Sequence, residues 1–112
     1  ISFHCPLNEH TRELLNKNNL NEVKPGALVI NCARGGIIDE RAALQALQSG
    51  VLGGLALDVL PSEPPRAGHP VLEALGADQA LNLIVTPHNA WISPQARQNI
   101  ITLTAENIRS LA

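Results

Sequence analysis

Methionine and tyrosine are missing from this 112-residue chain, and its aromatics amount to one phenylalanine and one tryptophan. Without aromatic platforms or a basic run, nothing in it would stack on bases or track a phosphate backbone, so nucleic acid is not an expected partner. The 10 acidic and 8 basic residues are interspersed and leave a formal net charge of −2. No apolar stretch approaches the roughly 20 residues needed to cross a bilayer. The first residues also lack the charged, apolar, small-residue order of a secretory signal. A soluble, cytoplasmic chain with no membrane contact is the expectation. Cysteine is sparse: Cys5 and Cys32 each sit at the end of an apolar run and are expected to be reduced. No His or Cys pair has the short spacing of zinc ligands, which argues against a metal site. With no methionine to start it, and a beginning in mid-pattern at "ISFHCP", the chain reads as a piece of something longer.

What is present is aliphatic. A chain of this length buries about two-thirds of its unfolded surface, and Leu, Ile, Val and Ala must fill the interior. Four apolar runs recur: "ISF" at 1–3, "ALVINCA" at 27–33, "LGGLALDV" at 52–59 and "LNLIVT" at 81–86. Each is continuous rather than alternating, the pattern of a strand buried on both faces. Helical spacing separates them. "DERAALQALQSG" has Asp39 as N-cap, Ala43, Leu44 and Leu47 on one face, and Gly50 at its end. "SPQARQNIITLTAENIRSLA" opens with Ser93 at the N-cap and Pro94 in the first turn. It then carries Ile101, Ala105, Ile108 and Ala112 in a stripe and is expected to run to the last residue. "TRELLNKNNLNEV" reads as helical in its first half, broken by asparagines and closed by Pro25-Gly26, and "HPVLEALGAD" offers about two turns. Alternating strands and helices predict right-handed crossovers and a parallel sheet. No domain boundary is visible, and the one Pro-rich stretch, "PSEPPRAGHP", is a loop.

Parallel topology places the C-terminal ends of all four strands on one edge, where ligands of open α/β sheets bind. The runs end at His4, Arg34, Asp58 and His88, with Glu63 just after Asp58. Each has a plain alternative: His4 closing a turn, Arg34 solvated, Asp58 capping the turn into "LPSEPP", Glu63 a loop charge, His88 a satisfied, partly buried ring. His10 and His69 read as surface residues. The two glycines after Arg34 let the backbone turn tightly or approach a ligand, which a decorative arginine does not need. Convergence at one edge favours a functional reading. Arginine grips a carboxylate through two parallel bonds. Histidine exchanges a proton near neutrality, and a carboxylate such as Glu63 favours its charged form and fixes its orientation. That set suits a small 2-oxo or 2-hydroxy acid, whose carbonyl needs a proton while a nicotinamide supplies hydride.

"HCPLNEHTRELLN", "LVINCARGGIIDE", "GLALDVLPSEPP" and "IVTPHNAW", in this order and spacing, resemble consecutive signatures of the D-isomer-specific 2-hydroxyacid dehydrogenases. "EPPRAGHPVL" with "TPHNAWISPQARQ" is most similar to the glycerate dehydrogenase, or hydroxypyruvate reductase, branch. The resemblance implies a partial Rossmann-type, doubly wound α/β sheet of about four strands. Residues 1–112 would form the C-terminal half of an NAD(P)-binding domain, with the last helix leading towards a substrate domain. It implies Arg34 as the substrate-binding arginine, His88 as acid/base and Glu63 as the carboxylate paired to it. It implies Asp58 near the nicotinamide carboxamide, with His4, Pro6, Cys32, Ala33, Arg34 and His88 along the cofactor, NAD or NADP. The parent is implied to be a dimer. Asn8 stands where the family commonly has threonine, a change of one polar contact for another. The G-x-G-x-x-G turn that holds a pyrophosphate is not in this sequence: the glycines at 35, 36, 53 and 54 lack its spacing. The fragment alone is therefore expected to be inactive.

Two other classes remain open. Relatives of the family include corepressors, so a dinucleotide-sensing module on the same fold is one. A thiol hydrolase using Cys32 with His88 and Asp58 is the other, although Cys32 reads as buried in its strand run, away from an activating setting. The six-strand order also leaves residues 1–5 at an unprotected sheet edge.

Overall fold

A computed structural model describes residues 1–111. The strands β1 (Ser2–Phe3), β2 (Ala27–Asn31), β3 (Leu52–Leu57) and β4 (Leu83–Val85) form one sheet in the order β1-β2-β3-β4. Every neighbouring pair is parallel. Helix α1 (Glu40–Gln48) joins β2 to β3, α2 (Pro70–Ala77) joins β3 to β4, and α3 (Pro94–Ser110) follows β4. β1 lies at one edge, as its place in the pattern requires.

The caps are those the sequence offers. The Asp39 side chain accepts the Ala42 N–H at 3.1 Å and starts α1, whose buried Ala42, Ala43, Leu44, Ala46 and Leu47 face the sheet. Ser93 accepts the Ala96 N–H at 3.2 Å and starts α3. α3 ends at Ser110; Ala112, the last member of its expected stripe, lies outside the described residues.

Three expectations fail for physical reasons. Residues 11–23 form turns and one short 3-10 helix, Leu20–Glu22, instead of an α-helix. Asparagines divert the backbone there: the Asn19 side chain accepts from Asn16 N–H and donates to the Leu14 carbonyl, while Asn16 accepts from Asn18 N–H. Second, the strands are not buried on both faces. Phe3, Val29, Leu55, Leu57 and Leu83 lie in a core with α1 and α2. The register aligns Ser2, Ile30, Ala56 and Ile84 across the sheet, and Leu28, Ile30 and Ile84 are exposed. This chain supplies one helical layer, so a sequence built for two covered faces leaves one bare. Third, His69 is no surface residue. Its ring caps α2, Nδ1 accepting the Val71 N–H at 3.3 Å, and only 15 % of its side chain is exposed.

α3 packs against none of the other elements, which draws the molecule out to 56 × 29 × 26 Å. It buries no residue, and Ile100, Ile101, Leu103 and Ile108 are exposed along it.

Candidate active site

β2 ends on Asn31, a fully buried amide in an apolar strand. Such a group needs partners, and the next turn provides them: Oδ1 accepts the Ala33 N–H at 3.0 Å and Nδ2 donates to the Arg34 carbonyl at 2.9 Å. The chain is thereby reversed at the sheet edge, leaving Arg34 exposed, its Nη1 donating to the Ala33 carbonyl at 2.7 Å. The two glycines that follow serve different ends. A Cβ on Gly35 would stand 2.1 Å from the Leu60 carbonyl carbon, so only glycine lets the turn after β2 press against the loop after β3. Gly36 has φ +83°, the left-handed region that suits glycine.

That contact joins two halves of the site. The Leu60 N–H donates to Glu63 Oε1 at 2.8 Å, and Glu63 Oε2 lies 2.6 Å from His88 Nδ1. The carboxylate so placed fixes the ring, and among the described residues nothing is hydrogen-bonded to Nε2. Burial acts to raise the Glu63 pKa, but the Leu60 amide and the His88 ring outweigh it and hold the carboxyl below its usual range.

His88 has φ +53°, a left-handed conformation that costs a non-glycine residue about 1–2 kcal/mol. Asp58 holds it there. Its Oδ1 accepts from the Thr86 hydroxyl and, at 2.9 Å, from the Asn89 N–H; Oδ2 accepts the Ala90 N–H at 2.9 Å. Burial would raise the Asp58 pKa, yet these bonds and the nearby His88 bring it below normal. Trp91 adds a bond from Nε1 to the His88 carbonyl at 3.0 Å. Asp58 thus braces the histidine loop, not the turn into "LPSEPP".

The predicted residues fall into two linked groups. His4, Pro6, Cys32, Ala33 and Arg34 line an open cavity of about 560 Å³ beyond β1 and β2. His4 is exposed, its Nε2 2.7 Å from the Ser2 hydroxyl. Glu63 and His88 line a second, apolar cavity of about 570 Å³ with Leu60, Leu72, Leu75 and Val85. No hydrogen bond or ion pair among the described residues joins Arg34 to either; the Gly35–Leu60 contact carries the connection. Cys32 is exposed, against expectation, because the strand ends one residue before it. Asp58 and His88 are engaged with the partners described above, so the thiol-hydrolase grouping is not assembled. Asn31, Thr86 and Trp91 were not among the predicted residues. The lone amide in an apolar run was the available signal for Asn31; Thr86 and Trp91 carried none.

The sequence pattern described as the D-isomer specific 2-hydroxyacid dehydrogenase, NAD binding domain, matches residues 1–90. The chain belongs to this family. It is 40 % identical over 110 residues to a glycerate dehydrogenase of Methylorubrum extorquens, covering 98 % of this chain and 34 % of that protein. It is 42 % identical over 113 residues to an (S)-sulfolactate dehydrogenase of Chromohalobacter salexigens, covering 97 % and 33 %. An acyclic imino acid reductase in complex with NADPH and D-Arg superposes with a TM-score of 0.82 at 34 % identity, over 99 % of this chain and 33 % of that one. The chain spans about a third of the length of the curated relatives it matches.

Proposed function

We propose that residues 1–112 are the second half of an NAD(P)-binding domain in a dehydrogenase that interconverts small 2-oxo and 2-hydroxy acids. Hydroxypyruvate or glyoxylate, giving D-glycerate or glycolate, are the proposed substrates. The observation that carries this reading is the 2.6 Å contact of Glu63 with His88 Nδ1 at the ligand-binding edge of the sheet. With Nδ1 committed to the carboxylate, Nε2 is the nitrogen that delivers a proton to the substrate oxygen in reduction and removes it in oxidation. Glu63 stabilises the imidazolium in the first role and keeps the ring oriented in both. Arg34 supplies a planar fork for the substrate carboxylate. Asp58, which the resemblance implies lies near the nicotinamide carboxamide, also fixes the His88 loop through the Asn89 and Ala90 amides.

A nicotinamide supplies hydride when bound. The 560 Å³ cavity fits that end of a dinucleotide: it is open, partly apolar, and walled by the strand-end residues His4, Pro6, Cys32, Ala33 and Arg34. The pyrophosphate-binding glycine turn is not part of this sequence, and half of the cradle must come from elsewhere in the parent. Positioning supplies much of the rate in such reactions, so this chain by itself is expected not to turn over.

Oxidation of NADH or NADPH by the intact protein with hydroxypyruvate tests the reading. His88→Gln is expected to lower kcat by about 10²–10⁴-fold, and Arg34→Ala to act mainly through KM. An intact protein that reduces no 2-oxo acid, or a His88→Gln variant at full activity, would overturn it.

A further inference from the structure

One buried ionisable pair takes no part in this chemistry. Glu40, in the first turn of α1, is 4 % exposed, and its Oε2 lies 2.9 Å from Nε2 of His69. Neither Glu40 oxygen receives a well-aligned hydrogen bond; the Gly36 amide compensates its charge only in part. A carboxyl buried so poorly served costs stability, and its place in the fold suggests what it gives in return.

His69 closes the loop 59–69 that carries Glu63. Residues 61–64 and 66–68 of that loop are exposed, and apart from the Gly35–Leu60 approach and the Glu63–His88 contact it is held at its ends. Asp58 and Val59 bury one end. At the other, His69 Nδ1 accepts the Val71 N–H, which leaves the ring proton on Nε2, facing Glu40. Glu40 in turn sits four residues after Gly36, at the foot of the turn bearing Arg34. Asp39 and, more weakly, Glu63 raise the pKa of Glu40, while Arg41 lowers and Glu73 raises that of His69.

We infer that Glu40 and His69 are positioning residues: their contact pins the far end of the 59–69 loop to α1 and so sets where the Glu63 carboxylate meets the His88 ring. This rests on reading Glu63 and His88 as the proton-handling pair. The test needs no substrate. In the 112-residue chain, the Nδ1 proton of His88 held against Glu63 at 2.6 Å is expected to give a low-field NMR resonance. Glu40→Leu removes the carboxyl and leaves the His69 Nε2–H without its acceptor, so the contact is lost while an apolar side chain of similar volume occupies the space. It is expected to raise exchange of that proton about tenfold or broaden the resonance away, a change of about 1.4 kcal/mol in local opening. Glu40→Gln still accepts from His69 and is expected to retain the resonance. A folded Glu40→Leu chain with the His88 signal unchanged would overturn the inference. Should Glu40→Leu fail to fold, hydrogen exchange of the wild-type chain decides. The Leu60 and Val71 amides, bonded to Glu63 and His69, are expected to open as one unit, and independent opening would contradict the proposal. An intact protein without dehydrogenase activity would remove the enzymatic reading and leave these measurements interpretable.

Discussion

Asp58 and Glu40 are equally shielded from water, at 4 % exposure each, yet their surroundings push them in opposite directions. Asp58 accepts three hydrogen bonds and its pKa falls below 3.8 despite burial. Its folded value is depressed, so the stability it contributes is present above the unfolded value and is lost as pH falls through the folded one. Glu40 is raised from 4.5 to about 7, chiefly by burial. The folded chain binds its proton more tightly than the unfolded chain, and stability falls as pH rises between those two values. The loss is on the order of 3 kcal/mol. Glu40→Gln, which carries no charge to bury, is expected to match the wild type at about pH 4 and to exceed it by roughly that amount above pH 8. Urea denaturation across this range checks it; an unchanged difference at all pH values would contradict it. For Asp58→Asn, which cannot accept from both backbone amides, kcat of the intact protein is expected to drop at least about tenfold with the loop bonds lost. Arg34, Asp58, Glu63 and His88 could be picked out from the sequence because parallel strands fix which ends share an edge. The bracing by Thr86 and Trp91 could not, since a hydroxyl says nothing of a partner 28 positions away, nor an indole of a carbonyl three positions before it.

Among the elements, the turn after β2 and the loop after β3 depend on one close approach. Gly35→Ala forces a Cβ into the Leu60 carbonyl, and backbone cannot yield as a flexible side chain would. It is expected to part the loops, lowering activity of the intact protein by about tenfold or more through displacement of Glu63. Gly36→Ala meets only ordinary contacts with the Arg12 and Leu7 side chains at 3.8 Å and is expected to cost only about 1 kcal/mol for its positive φ. Equal effects of the two on activity would contradict this assignment. The strands and helices were legible because apolar runs and, for α1 and α3, the caps are local signals; the His69 cap of α2 was not. Residues 11–23 were not, because asparagine side chains that satisfy the backbone there also satisfy helical spacing rules until the competing bonds are seen.

At the scale of the whole molecule, much apolar surface is left uncovered. Continuous apolar strands implied cover on both faces; among the described residues no helix covers the row of Ile30, Ala56 and Ile84, and α3 holds its isoleucines away from the body. Exposed apolar surface of this kind promotes association. Light scattering of the isolated chain is expected to show mass rising with concentration, whereas a monomer at all concentrations would contradict the exposure described. The account as a whole stands on Arg34 and the Glu63–His88 pair serving one small acid. The most direct measurement is a crystal structure of the intact protein with its nicotinamide and oxamate, an unreactive 2-oxo acid mimic. It is predicted to show the Arg34 guanidinium on the oxamate carboxylate and His88 Nε2 within about 3 Å of the oxygen on the neighbouring carbon. Oxamate bound elsewhere, or an imidazole beyond reach of that oxygen, would contradict it.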